Sequence, residues 1–387
     1  MKFHAKATIA ALGAVAAPMV LSAAPAYAGV HHAPAPQQLH VTKTLSSAYI
    51  APLQFAVAGS DVFVADSATS TLNRLDADGH NTVIAHGPDP ATGGDLAGVA
   101  VDQKHHALAY TSSTGDHSTT TLTILKPGAK PVVADLSGFE KTHNPDGKIT
   151  YGITQPLTPA VKACVLPSLV AGGVPGAAQG QVSYTGQVDS HPYAVASLGD
   201  GSWAVADAGG NDIVRVSRWG QVSLIAVLPA QPVKITQAII KENGLPSCAL
   251  GLTYRSEAVP TDVEVGPGGA LYVTTLPGGI DGSPGSVYRV SRWAGYPQKI
   301  ATGFQGATNL AIDPWGGIYV AELEGGTISK VVGGKPVTVL TLPGVVADEW
   351  ANGHLYASTS PAAASEGGGS TPPPPGTIVE LGPVGRS

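Results

Sequence analysis

The chain has 387 residues, 43% hydrophobic, 12% charged and 6% aromatic, with 49 glycines and 32 prolines. So few charges and so many helix breakers exclude a helical bundle or coiled coil, while the hydrophobic share excludes a chain disordered throughout. The formal net charge is −6, and the 21 Lys and Arg form no basic patch or stripe, which argues against nucleic acid as a partner.

The chain begins with a basic stretch carrying Lys2 and Lys6, runs through an apolar, Ala-rich segment to Leu21, and reaches Ala26-Tyr27-Ala28. This pattern predicts a signal peptide over residues 1–28 and a secreted, extracellular protein. Pro18 and the shortness of the apolar run argue against an uncleaved anchor, and no later stretch reads as a transmembrane anchor. In an oxidising compartment the two cysteines, Cys164 and Cys248, are expected to form a disulfide.

From residue 45 onward a four-strand phrase recurs. Its first hairpin is clearest as PLQFAVAGSDVFVAD (52–66), HPYAVASLGDGSWAVAD (191–207), VPTDVEVGPGGALYVTT (259–275) and ATNLAIDPWGGIYVAE (307–322), with weaker copies starting near Leu96 and Val345. Each is followed by a second hairpin such as DIVRVSRWGQVSLIAVL (212–228). Period-2 alternation with Gly or Asp at the turns marks antiparallel strands, and sixfold repetition of one phrase marks radial packing. The predicted fold class is therefore all-β: a six-bladed β-propeller with mostly four-stranded antiparallel blades. The blades fall near 45–90, 91–138, 189–229, 258–304, 305–343 and 344–384, with ring closure by an N-terminal strand. Two sandwiches are the competing architecture, but sandwiches do not require six copies of one phrase.

The spacing leaves long insertions at 139–190 and 229–258, each carrying one cysteine, and a Gly/Pro tract at 362–376 inside the last blade, expected to be a flexible surface loop. Helices are predicted over 158–169, limited by Pro159 and Pro167, and over 233–243, where Ile235, Ile239 and Ile240 share a face and Gly244 supplies a stop.

The phrases Asn144-Pro145-Asp146-Gly147, Asp189-Ser190-His191-Pro192-Tyr193, VADAGGND (205–212), VPTDVEVGPGGALYV (259–273) and GSVYRV (285–290) together resemble the ScyD/ScyE family of secreted, NHL-repeat-like propellers. The resemblance covers nearly all of the chain after residue 28. It implies the propeller fold and no particular reaction.

Propellers gather the ends of their inner strands around a channel, where small molecules bind. Aligning the copies puts Gln54, Gly98, Ala194, Asp262 and Asn309 at one recurring inner-strand position, with Glu264, Glu324 and Glu349 elsewhere near the repeats. Gln54, Asp262, Glu264 and Asn309 are the ligand-binding candidates. Asp262, Glu264 and Asn309 are the candidate metal set, with Ca²⁺ or Mg²⁺ as the ion. Asp66, Asp207 and Glu322 end the second strand of their copies and read as structural acceptors for turn amides.

Two functions follow: a binding or interaction module for a small molecule, a cell-envelope component or a protein, or a divalent-metal-dependent hydrolase of the lactonase/esterase type. A monomer is expected. No nucleophile-elbow motif supports a serine hydrolase, and the histidines, including His31, His32, His105, His106 and His191, share no metal-ligand spacing. The Ser-Arg-Trp phrases at 217–219 and 291–293 offer either an aromatic patch or repeated turn packing.

Overall fold

The computed structural model describes residues 36–361 and 374–384. The segment 1–28 and residues 362–373 of the Gly/Pro tract lie outside the described residues.

Among the described residues, seven four-stranded antiparallel sheets form, and six of them are the blades of a closed propeller. Blade 1 is built from Pro52–Ala58, Asp61–Asp66, Thr71–Leu75 and Asn81–His86, taken from the axis outward. Blade 2 runs from Val99–Asp102 to Val132–Asp135, blade 3 from Pro192–Ser197 to Val222–Val227, blade 4 from Pro260–Val265 to Pro297–Phe304, and blade 5 from Ala307–Ile312 to Lys335–Thr341. Blade 6 takes Val345–Ala351, His354–Thr359 and Gly376–Pro383 from the C-terminal part of the chain and its outermost strand, Leu39–Tyr49, from the N-terminal part. This strand exchange closes the ring.

The alternation seen in the sequence becomes burial on both blade faces. In blade 3 the strand Trp203–Asp207 is buried at every residue, because its two faces pack against blades 2 and 4. Trp203 lies in the apolar layer shared with blade 2, and Ala204 and Ala206 lie in the layer shared with blade 4. Inner strands follow one another in chain order around the axis, and that of blade 6 returns to that of blade 1. Gly98 permits one of these close approaches: a Cβ there would lie 2.9 Å from the carbonyl oxygen of Tyr193 on the neighbouring blade.

The seventh sheet was not foreseen. Thr150–Gly152 and Ser183–Thr185 from the first insertion pair with Gln231–Lys234 and Thr253–Ser256 from the second, so the two insertions fold together as one cap. The cap also holds two helices, α2 (Pro159–Ala171) and α3 (Gln237–Glu242), while α1 (Leu136–His143), leading into the first insertion, packs through Leu136 and Phe139 on blades 2 and 3. α2 begins as the sequence suggests, with Thr158 accepting the Val161 amide and Pro159 in the first turn, and continues past Pro167.

The predicted helix over 233–243 is shorter. Gln231–Lys234 alternates buried and exposed residues and joins the cap sheet, and the Thr236 hydroxyl caps a helix starting only at Gln237. α1 was missed; the Asp135 carboxylate caps it by accepting the Gly138 amide.

Ile153, Val165, Leu169, Ile235, Ile239 and Tyr254 form the cap's own apolar core, which also takes in Ile280 from blade 4. The disulfide Cys164–Cys248 crosses this core, with Cα atoms 6.5 Å apart and 84 residues between them in sequence. Replacing both cysteines by serine should cost about 2–4 kcal/mol of cap stability. Hydrogen exchange would show the loss confined to 139–190 and 229–258; uniform loss across all blades would contradict an autonomous cap.

No helix among the described residues is long and apolar enough to cross a membrane.

Candidate functional site

The loops joining successive blades and the turns between second and third strands lie on one face, with the cap; the remaining turns lie on the other. The strand-end acids hold the first of these faces together. Asp66 accepts the backbone amides of Ile50 and Ala51 at 3.1 and 2.8 Å, and Glu322 accepts that of Gln305 at 2.7 Å. Asp207 accepts the His191 and Gly210 amides at 2.6 and 3.2 Å and the Ser190 hydroxyl at 2.6 Å. Each therefore ties its second strand to the chain entering its own blade, the work of a buried acceptor.

Along the axis the recurring inner-strand position is also heavily bonded. Gln54 of blade 1 donates to Asp262 Oδ1 of blade 4 at 3.1 Å, and these blades stand opposite each other in a ring of six. This bond bridges the channel. The other Asp262 oxygen accepts the Leu310 amide of blade 5 at 2.9 Å, and Asn309 Oδ1 accepts the Asp348 amide of blade 6 at 2.9 Å. Gln54 and Asp262 are thus brought together, whereas Asn309 is turned toward the next blade. Burial pushes Asp262 up to about 7 against the opposing pull of these donors.

Below this bridge the channel widens into a cavity of about 330 Å³ on the face away from the cap. Glu264 and Glu349 line it, with Gln103, Ser197, Trp350 and Asn352 at the rim. Neither Asp262 nor Asn309 lines this cavity. The set of Asp262, Glu264 and Asn309 therefore does not assemble there; Glu264 meets Glu349 of blade 6. Burial, then the neighbouring Glu349, Asp262 and Asp348, raises Glu264 well above the usual carboxylate range. Burial with Asp262 and Asp348 likewise pushes Glu349 up to about 8. Both acids thus share one cavity, and Glu349 adds to the repulsion that raises Glu264. Glu349 was hard to single out because it sits in a weak copy of the repeat, and in the same inner-strand register blades 1, 2, 3 and 5 carry Ala56, Ala100, Ala196 and Ala311.

A second group with metal-binding capacity lies in the outer turn of blade 1. Asp76, Asp78 and His80 offer ligand atoms within 4.8 Å of one another, a set able to coordinate a divalent ion such as Ca²⁺ or Mg²⁺. Asp76 Oδ1 already accepts the amides of Asp78 and His80 at 3.0 and 2.9 Å, so the same side chain shapes the turn.

The Ser-Arg-Trp turns leave their rings outside. Trp219 and Trp293 are 71% and 78% exposed, each beneath its own arginine, with guanidinium to ring distances of 4.8 and 4.7 Å for Arg218 and Arg292. On the cap face His191 bonds Asp95 at 3.0 Å and stacks on His117, which bonds Asp189 at 2.8 Å. Burial opposes protonation of His191, yet the bond to Asp95 and the nearby carboxylates hold its pKa above the ordinary value.

No protein-family profile matches the chain, and no curated protein matches it. Among solved structures it is similar to the PQQ-bound form of an aldose sugar dehydrogenase from Streptomyces coelicolor, at 14% identity and a TM-score of 0.56, over 90% of this chain and 98% of that one. It is also similar to a protein of unknown function from Bacteroides thetaiotaomicron, at 11% identity and a TM-score of 0.51, over 90% of this chain and 76% of that one. At such identities the likeness is one of fold, and it agrees with the strand topology in making the chain a six-bladed β-propeller.

Proposed function

We propose that this chain is a divalent-metal-dependent hydrolase of small esters or lactones, working at the channel mouth opposite the cap. The observation that carries the reading is that Glu264 and Glu349, both held above the usual carboxylate range, lie on the wall of one water-accessible cavity. Without a cation the pair retains at least one proton near neutral pH, since both acids are held above their usual range. Two carboxylates relieved of that repulsion offer hard oxygen ligands suited to Ca²⁺ or Mg²⁺. Such an ion, when bound, supplies polarisation of a substrate carbonyl and a lowered pKa for its water.

The chain's own residues then do the rest. Glu264 and Glu349 hold the site in register because they come from rigid inner strands of blades 4 and 6. The buried Gln54–Asp262 bridge closes the channel behind them. Trp350 lies at the rim, and Gln103, Ser197 and Asn352 beside it can orient the substrate carbonyl.

Crystals grown with Mn²⁺ should show an anomalous peak between Glu264 and Glu349. A mouth without such a peak would contradict the reading.

We further propose that the chain is an exported member of the ScyD/ScyE family. The signal-like segment 1–28, the quoted phrases and the Cys164–Cys248 disulfide support this. Binding without turnover is the second reading. It is favoured by the engagement of Asp262 and Asn309 in bonds between blades, which leaves fewer polar groups free for chemistry.

A further inference from the structure

Blade 3 departs from the other blades at one position. The first residue of its third strand lies directly opposite the strand-end acid, so Asp212 pairs with Asp207. At the matching place blade 1 sets Thr71 opposite Asp66, and blade 5 sets Thr327 opposite Glu322; blades 2, 4 and 6 have Thr120, Ser286 and Thr377. A hydroxyl there can donate to the acid, as Thr327 does to Glu322 at 3.4 Å. A second carboxylate cannot, and like charges set directly opposite each other destabilise a sheet.

The first insertion adds more negative charge at the same spot. Glu140 from α1 and Asp146 from the turn after it approach the Asp207–Asp212 hairpin, and each raises the carboxyl of Asp212 along with burial and Asp207. The groups meet around Gly210. A Cβ at this residue would stand 3.4 Å from Glu140 Oε2, 3.5 Å from the Asp212 carboxyl carbon and 3.6 Å from that of Asp207. No basic side chain enters this cage through any ion pair of the described residues; those near it join His117 to Asp189 and His191 to Asp95.

Asp207 is satisfied by Ser190, His191 and Gly210, and Asp146 accepts from Tyr151 and Asn211 through one oxygen, at 2.9 and 3.0 Å. The other Asp146 oxygen, Oδ1, has no partner, and Asp212 and Glu140 also carry unpartnered oxygens. Asp212, 1% exposed, has both carboxylate oxygens without a hydrogen-bond partner, and Glu140, 3% exposed, has Oε1 without one. An isolated buried carboxylate is too costly to persist. Either protons or a cation must neutralise the pair.

We propose that Glu140 and Asp212 are the carboxylate ligands of a structural calcium site that fastens the first insertion to blade 3, with Asp146 and Asp207 supplying the surrounding negative charge. Two carboxylates, hard oxygen donors, suit Ca²⁺, and its variable coordination accommodates water in the remaining positions. The site stands on the cap side of the disc and is separate from the channel mouth. Because binding joins the insertion to the ring, it stabilises the folded chain in proportion to occupancy.

The test uses the full chain, freed of metal by chelator and dialysed against CaCl₂, with bound calcium measured by elemental analysis and Tm read in parallel. Two variants, Asp212→Asn and Glu140→Gln, keep shape while removing charge. Wild type should bind one calcium more per chain than either variant, and its Tm should rise by about 5 °C at calcium a hundredfold above Kd. In each variant the affinity of this site should fall at least tenfold and the Tm response should vanish. Before calcium is added, Asp212→Asn should melt no lower than wild type, since it relieves the repulsion with Asp207. If one variant fails to fold, the other carries the comparison. A Glu264→Gln/Glu349→Gln variant and an Asp76→Asn variant should both retain this calcium, which separates it from the channel and from the blade 1 turn. Equal calcium content and equal Tm response in wild type and both variants would overturn the proposal, as would metal-free protein that neither binds calcium nor gains Tm from it.

Discussion

Deleting residues up to Tyr49 should leave a chain that no longer unfolds cooperatively. The strand Leu39–Tyr49 is the outer edge of blade 6, paired with Gly376–Pro383 from Leu39 opposite Pro383 to Tyr49 opposite Gly376. Its loss strips one strand from a four-stranded blade and exposes the amides and carbonyls of the next strand at a new edge. The inner end of the strand matters most. Tyr49 is 1% exposed, packs with Phe55, Val57, Val64 and Leu75 of blade 1, and donates its hydroxyl to Asn81 at 3.0 Å. It therefore links the last blade to the first. Truncating this single side chain, Tyr49→Ala, should cost about 3–5 kcal/mol, as for other large buried aromatics. Urea unfolding followed by near-UV dichroism measures both effects. A sharp transition in the deletion variant, with a midpoint near that of the full chain, would show that the ring does not depend on this closure.

The double substitution Glu264→Gln/Glu349→Gln should abolish metal-dependent hydrolysis, lowering kcat/KM by about 10²-fold or more, the scale expected when the groups that place a polarising ion are lost. It should also change how stability depends on pH. A carboxyl whose folded pKa is raised binds its proton more tightly in the folded state, so its stabilising contribution is complete below the unfolded value. It is lost as pH climbs through the folded value. For Glu349 that window runs from about 4.5 up to about 8. Metal-free wild type should therefore lose stability across this range, by a few kcal/mol at most. The Gln pair removes both titrating groups and should flatten that part of the slope. An unchanged slope together with unchanged turnover would place the working acids elsewhere.

Much of the ring could be read from local pattern. The alternation in PTDVEV and LYVTT, punctuated by Gly266-Pro267-Gly268-Gly269, specifies a hairpin whose observed register runs from Pro260 opposite Thr275 to Val265 opposite Leu271. Six such hairpins with short connections suffice to suggest blades. The cap sheet carried no comparable signal. Thr150–Gly152 is three residues long and its partner Arg255 is more than one hundred residues away, so only the folded chain reveals the pairing.

The site was legible in a similar, partial way. Alignment of copies located the inner-strand positions of Gln54, Asp262 and Asn309, but not the direction of their side chains. Two of these turn their oxygens to the amides of the next blade, because backbone donors at a blade junction need acceptors and Asp and Asn reach them. Glu349 required knowing which residues share the mouth with Glu264. Asp212 is the instructive case: its signal lay in the sequence as an acid where other copies have Thr or Ser, yet it acquires meaning only through the register that sets it against Asp207.

The most direct test of metal-dependent hydrolysis at the channel mouth is turnover of a panel of small lactones and aryl esters by the full-length protein, measured after chelation and again after addition of Ca²⁺, Mg²⁺ or Mn²⁺. Turnover should disappear with the ion, return on its addition, and be absent from folded Glu264→Gln/Glu349→Gln protein under every condition. Turnover indifferent to metal and to both glutamates, or no turnover of any member of the panel by metal-replete protein, would contradict it.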